Sequence, residues 1–524
     1  MSISTRSTTA SQPPAAPGSP SSREPQAIPE PSSSREPQAI PEPSSLRGPQ
    51  AAPASSSPRE PVTRPSKWRA ILPLPAGKAL GVLLLAILTL LTAMVLIELP
   101  VLHHTQGNIL FPLDNAYVNI AVGRDLAFYQ VWGVSKYAFQ SAASSLLYPL
   151  TLAPFFFILG AHLIIPLIVN FLAGVYFLLM LQRTLIRYGL PPARQFLVLI
   201  GAMGLTLLPL LVVSGMEYTL QLLFVFLFMD TLAQTLPAPV TTTAPAPTAS
   251  ATKAPAPPTL YIFGLLAVAA RYEDLLVVAL GCVLLGLQKS RRSAAKLAAI
   301  AVSPILIFGL ISVIKKSSFL PNPMLVGPYL TYTTILALIA TAAAAWLIIR
   351  NNTTIPLLLL LVPFTVRNAS NLVHFEKDCD RTYDEQYLTA HFVHLYYFMQ
   401  TVGTNQPGAV SYFSEGRKLD YTGVASNDVV RMTKEYGWTP LYADSLSKKD
   451  GIRVAIVADP WFRADQFPKW TRIATWDIAD DDPPVAHEKA VNFYAVQPYD
   501  TAWLRKRLHE YQHLLPSTVS VKYY

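Results

Sequence analysis

Within FPLDNAYVNIAVGRDLAFYQ, residues 111–130, Asp114, Asn115, Arg124 and Asp125 follow directly on the first long apolar run of the chain. Three further polar groups interrupt apolar sequence: Glu217 in SGMEYT, Arg271 with Glu273 and Asp274 in ARYEDL, and Lys315 with Lys316 in VIKKSS. Ionisable groups inside or beside membrane-length apolar runs are expensive to place, so they are usually paired or functional. Their types suit a reaction at a lipid phosphate, where a carboxylate takes the proton of an attacking hydroxyl and cations neutralise a departing phosphate. Asn115 can hydrogen bond in such a site but cannot take a proton at neutral pH.

The elements that must position these groups are read from composition. The chain has 524 residues, 51% hydrophobic and 14% charged, and several apolar runs approach the length that crosses a hydrocarbon core of about 30 Å. This pattern predicts a polytopic membrane protein, mainly α. The net charge of +9 does not point to nucleic acid, because many Lys and Arg stand in short loops beside apolar runs, where they act as cytoplasmic anchors. Cys282 and Cys379 are the two cysteines, too few for a disulfide framework or a Cys-based metal site. The first apolar run, from about residue 79, is too long for a cleaved leader and is expected to stay as an anchor. Residues 1–66 are rich in Pro, Ser and Ala; SSREPQAIPEPS at 21–32 recurs at 33–44, with a decayed copy at 45–56. So little apolar content cannot bury a core, which predicts a disordered cytoplasmic tail.

Apolar runs follow at 79–99, 144–159, 162–182, 194–213, 217–235, 259–270, 272–287, 294–313, 328–349 and 354–366. The basic loops SKWRAILPLPAGK, QRTLIRYGLPPAR and QKSRRSAAK belong in the cytoplasm. Meeting that condition requires 144–159 to lie in the interface and 259–287 to turn back near Arg271, which gives about nine spans plus an interfacial helix. The same parity puts Asp114, Glu217, Arg271, Glu273, Lys315 and Lys316 outside, together with everything after about residue 375. Residues 67–374 are then a transmembrane domain and 375–524 a small extracytoplasmic α/β domain. In the latter AVSYFS, IRVAIVAD and VNFYAVQ read as strands, and DVVRMTKEYG and TAWLRKRLHEYQHLL as helices. ADDDPP at 479–484 reads as an acidic turn.

Several segments resemble, in the same order, those of bacterial GT-C glycosyltransferases. LDNAYVNIAVGRDLAF is similar to the acidic first-loop motif of that family, and SSLLYPLTLAPFFFILG, SGMEYTLQLLFVFLF, LLAVAARYEDLLVVAL, KKSSFLPNPM and GAVSYFSEGRKLDYTGVASNDVV each resemble a later family segment. The resemblance covers about residues 80–425. It implies a GT-C type fold and an enzyme of the bacterial cytoplasmic membrane that passes a sugar from a polyprenyl-phosphate carrier to an extracytoplasmic lipid, glycan or protein acceptor. It assigns the catalytic base to Asp114, and the second acidic position of the motif is here Asn115. RYED keeps the Arg and Glu of the family's RPEG but loses its Pro, and Ser145 is only a loose counterpart of a family Thr.

Each residue also has a plainer reading. Asp114 after FPL suits a helix N-cap, and Arg124 with Asp125 suits a local pair or a solvated face. Glu217 suits an interfacial carboxylate, Arg271 an ion pair with Glu273 and Asp274, and Lys315 with Lys316 surface anchors. His103 and His104 read as a polar linker. The expected site is therefore Asp114 as base, with Asn115, Arg124, Glu217, Arg271, Glu273, Lys315 and Lys316 binding donor and phosphate. No metal ligands are assigned; a divalent cation is left open as cofactor. Expected partners are the lipid-linked sugar, its acceptor and membrane lipids. The alternative is a non-catalytic membrane protein that binds or transports lipid-linked envelope glycans.

Overall fold

A computed structural model describes residues 75–236, 256–326, 372–437, 439–458, 469–479 and 490–524. The repeats before residue 66, the linker 237–255, the runs 328–349 and 354–366, and residues 480–484 of the acidic turn lie outside the described residues. All that follows concerns the unit formed by residues 67–524.

Three described helices are long and apolar enough to cross a membrane: α1 (Lys78–His104), α4 (Ile164–Arg187) and α10 (Arg291–Ile314). The expectation of about nine spans is overturned: among the described residues these three helices alone have the length and hydropathy to cross. The run 194–213 splits at Leu207, whose φ of 49° is left-handed, into α5 (Pro192–Thr206) and α6 (Leu208–Val213). The segment 259–287 breaks at Arg271, which is extended, into α8 (Pro258–Ala270), a 3₁₀ turn Tyr272–Asp274 and α9 (Leu275–Leu287). Each 13-residue half reaches only about 20 Å at 1.5 Å per residue, short of a core of about 30 Å. The 144–159 run, not counted among the nine spans, holds α3 (Leu147–Leu159), 13 residues long. In α7 (Tyr218–Thr235) the apolar face is interrupted by Asp230, bound to Arg187 of α4 at 3.1 Å.

Proline starts several of these elements. Pro192 and Pro258, like Pro407 and Pro440 later, occupy the first helical turn, where a missing N–H costs nothing. The loop after α1 leads into α2 (Asp114–Tyr129), which packs along α3 and is buried along most of its length. Asn322–Val326 forms α11.

From residue 372 a helix runs through a π turn, Tyr383–Tyr387, into α12 (Leu388–Tyr397). There follow β1 (Val402–Thr404), α13 (Pro407–Phe413), β2 (Lys418–Asp420), α14 (Asn427–Tyr436), α15 (Pro440–Lys449), β3 (Val454–Ala458), β4 (Thr471–Ile478), β5 (Ala490–Ala495), α16 (Thr501–Tyr511) and β6 (Val519–Tyr523). The sheet order is β2-β1-β3-β5-β4-β6. β1 lies parallel to β2 and β3, and the remaining pairs are antiparallel, with Ile456 facing Phe493 and Trp476 facing Val491. Phe392 of α12 meets Trp476, Phe493 and Tyr511 edge-on, an arrangement favoured by the ring quadrupoles. One apolar core runs from α1 through α2 to this sheet.

IRVAIVAD contains β3 and TAWLRKRLHEYQHLL contains α16, while VNFYAVQ and DVVRMTKEYG cover β5 and α14 except for the first residue of each, Ala490 and Asn427. AVSYFS is not a strand. It forms α13, because Pro407 opens a helix there and both ends of that helix receive charge from α2, as described next.

Candidate active site

α2 and α13 are held together by charge. Asp114 is the first residue of α2, yet its carboxylate reaches α13: Gly408 N–H donates to Oδ1 at 2.9 Å and Oδ2 at 3.0 Å, and Ala409 N–H donates to Oδ1 at 3.2 Å. At the other end of α13, Arg124 donates to the Ser411 carbonyl at 3.1 Å and the Tyr412 carbonyl at 2.5 Å. An anion at the N-terminus and a cation at the C-terminus both complement the dipole of α13 and satisfy groups its own turns leave open. Gly408 permits the approach, since a Cβ there would stand 2.5 Å from Asp114 Oδ1 and 2.8 Å from its Cγ. Asp114 therefore caps a helix in the C-terminal part of the chain, not its own.

Arg124 is at once the local partner of Asp125, with Nε at 2.8 Å and Nη2 at 2.7 Å from the fully buried Oδ1 side of that carboxylate. Asn115 is exposed. Burial pushes the Asp114 carboxyl up to about 7, with the Gly408 and Ala409 N–H groups opposing and the charge of Asp420 adding to the rise. Asp114 keeps partial solvent access. Three accepted bonds leave one of about four carboxylate lone-pair positions open.

A second cluster lies deeper. Glu217, fully buried at the start of α7, accepts from Ser144 Oγ at 2.9 Å, Asn119 Nδ2 at 2.9 Å and Arg271 Nη1 at 2.9 Å. Arg271 also grips Glu273 through Nη2 at 2.7 Å and Nε at 3.3 Å, and its guanidinium lies 5.1 Å from the Tyr218 ring centre. Glu217, Arg271 and Glu273 are thus together, but Arg271 is held between two carboxylates, a complete ion-pair network rather than an open phosphate clamp. Asp274 stands apart from it, accepting from Gln221 at 2.9 Å. Asn119, five residues after Asp114 on α2, links this network to the first cluster.

Lys315 and Lys316 form the third place. They end α10 and are exposed, Lys316 in the left-handed region at φ 62°. They line a cavity of about 250 Å³ with Arg417, Lys418, Arg431 and Asp428. Arg417, Lys418 and Arg431 escape sequence reading because single basic residues in a polar domain are ordinary; only their convergence distinguishes them. Asn119, Ser144 and Gly408 escape it because small polar residues in apolar helices carry no signal until the fold aims them.

Among the described residues, His104, Glu376 and Asp380 could hold a metal ion, their ligand atoms lying within 4.8 Å of one another. His104 Nδ1 already meets Asp380 at 3.0 Å, and none of the expected site residues belongs to this group. His104 is thus paired with carboxylates, where the sequence reading had a polar linker.

Residues 376–494 match a protein family described as a domain of unknown function (DUF8728). The match includes Gly408, Arg417, Lys418 and Arg431 and leaves α1 to α11 outside it. No curated protein and no solved structure matches the chain.

Proposed function

We propose that the protein is a membrane enzyme that transfers a sugar from a polyprenyl-phosphate donor to an extracytoplasmic lipid, glycan or protein acceptor. The observation that carries this reading is Asp114: a carboxyl near neutrality in its proton affinity, oriented by two N–H groups, with one acceptor position open. General bases work best with a pKa close to the operating pH. Asp114 takes the proton of the acceptor hydroxyl, the oxygen bonds to the anomeric carbon, and the bond from that carbon to the phosphate oxygen breaks, its electron pair leaving with the polyprenyl phosphate. One displacement of this kind inverts the anomeric centre. The cations for the leaving phosphate are Lys315 and Lys316, since Arg271 is consumed by Glu217 and Glu273. The ordered resemblance to GT-C segments supports the substrate class, and the basic loops QRTLIRYGLPPAR and QKSRRSAAK support an outward-facing site.

The test is sugar transfer by membranes carrying Asp114→Asn. The amide can still accept from Gly408 and Ala409 through one oxygen, so folding is retained, while loss of a general base lowers the rate by about 10²- to 10⁴-fold. Because the deprotonated form is the base, the wild-type rate rises with pH on a limb centred at about 7. Transfer equal to wild type in the variant overturns the mechanism.

The second reading is a non-catalytic protein that binds lipid-linked glycan. It is favoured by the clamp on α13, which accounts for Asp114 and Arg124 structurally, and by the amide at Asn115. Binding of a polyprenyl-phosphate sugar without any transfer would select it.

A further inference from the structure

The cavity at the end of α10 collects more positive charge than its surroundings neutralise. Lys315, Lys316, Arg417, Lys418 and Arg431 converge on it. The lining sets one carboxylate against these five cations, Asp428, which is paired with Arg431 at 2.8 Å and with Lys449 at 3.6 Å; behind the lining Asp450 pairs with Arg417 at 3.3 Å, and Asp125 and Glu415, which act on Lys418, are already paired with Arg124 and Lys136. Among the described residues neither Lys315 nor Lys316 has a carboxylate partner. Lys418 is buried and donates to the Gly416 carbonyl. Burial, with Arg124 nearby, pushes its amine down to about 7, so even a neutral Lys418 leaves the cavity positive.

The walls are fixed by a polar knot across segments far apart in the chain. The Asn427 side chain accepts from Ser317 Oγ at 2.9 Å and Asn322 Nδ2 at 3.0 Å, and donates to the Phe139 carbonyl at 2.9 Å. These bonds hold the start of α14 against the residues that follow Lys315 and Lys316. α14 runs for ten residues, and its N-terminal end adds the positive end of a helix dipole to the same place.

α10 supplies the second half of the recognition. Leu306, Leu310, Val313 and Ile314 are exposed on it and lead up to Lys315, an apolar strip ending in two ammonium groups. An amphiphile with a long hydrocarbon tail and a phosphate head matches that sequence of surfaces.

We infer that this cavity is a binding site for the phosphate of a lipid-borne phosphate ester, shared between the end of α10 and residues of the C-terminal sheet domain. The site deepens the transfer reading above, on which its identification with the donor phosphate rests, but phosphate binding is measured without any acceptor and stands or falls separately.

The test uses the full chain in detergent at low salt, with two probes: inorganic pyrophosphate, and a long-chain polyprenyl monophosphate in mixed micelles. The variants are Lys315→Ala/Lys316→Ala, Arg431→Ala and, as a control at the opposite end of α10, Lys296→Ala. Loss of charge-assisted contacts weakens binding by about tenfold or more in the first two, with elution volume and melting unchanged, and Lys296→Ala binds as wild type. The polyprenyl probe binds more tightly than pyrophosphate because the tail adds burial. Failure of both probes to bind the wild type, an undiminished affinity in the double variant, or an equal loss in Lys296→Ala overturns the site. Tighter binding of pyrophosphate than of the lipid overturns its lipid-borne occupant. Normal phosphate binding with no sugar transfer would refute the proposed enzyme while leaving this site standing.

Discussion

Gly408→Ala perturbs one methyl group at the junction on which the clamp depends. The added Cβ would stand 2.5 Å from Asp114 Oδ1 and 2.8 Å from Cγ, and the Asp114 main-chain carbonyl is closer still. A flexible side chain could swing away; a helix backbone cannot, so α13 must retreat from α2. Overpacking of this kind costs about 1–3 kcal/mol. The retreat also lengthens the three N–H to carboxylate contacts, and charge-assisted bonds of this type are worth about 1.5–3 kcal/mol, so the total loss is about 3–5 kcal/mol. Gly437→Ala is the matched control: its φ of 75° with ψ of 159° is a conformation essentially confined to glycine, but nothing lies within 4 Å of the new atom, so only the backbone strain of about 1–3 kcal/mol remains. Thermal unfolding of the full chain in detergent, at one scan rate, should rank wild type, then Gly437→Ala, then Gly408→Ala. A Gly408→Ala protein that melts with or above Gly437→Ala would refute the clamp. In addition, Asp114→Ala combined with Gly408→Ala should cost less than the sum of the two, since both act on one contact.

Glu217→Ala removes the shared acceptor of Ser144, Asn119 and Arg271 and should destabilise by about 3–5 kcal/mol, as breaking one side of a buried ion pair does; a melting temperature near wild type would show the network to be dispensable. Stability should also depend on pH through Asp114. Its carboxyl is raised in the fold to about 7 from 3.8, so the native state holds the proton more tightly and the associated stability is present at low pH and lost as pH rises through about 7. Asp114→Asn, which mimics the neutral form, should flatten that decline between the two values, and an unchanged pH profile would show that Asp114 titrates elsewhere.

Some of this protein was legible residue by residue. Pro192, Pro258 and Pro440 stand in the first turn of a helix, where the missing N–H needs no partner, but Pro100, Pro154 and Pro304 lie inside helices, so proline marks a start only in context. The continuous apolar run in IRVAIVAD and the charged face of DVVRMTKEYG likewise fix a strand and a helix locally. The polar groups that belong together, Glu217 with Arg271 and Glu273, were visible as interruptions of apolar sequence. Span number was not legible: the break at Arg271 was visible, but a hydropathy window does not register that the backbone leaves the helix at Leu207 or that the 13-residue halves either side of Arg271 fall short of the bilayer.

The sequence by itself determined the inventory: long apolar runs, a polar α/β tail, and charges too costly to leave unpaired beside apolar surface. Only the tertiary structure decided what each charge does. Asp114 and Arg124 stand ten residues apart on α2, and nothing in that spacing reveals that a seven-residue helix almost three hundred positions later fits between them. AVSYFS carries the composition of a strand and becomes a helix because those two charges satisfy its ends. A local pattern encodes preferences worth fractions of a kcal/mol per residue, whereas charged bonds to helix ends contribute more than that and exist only once distant segments have met.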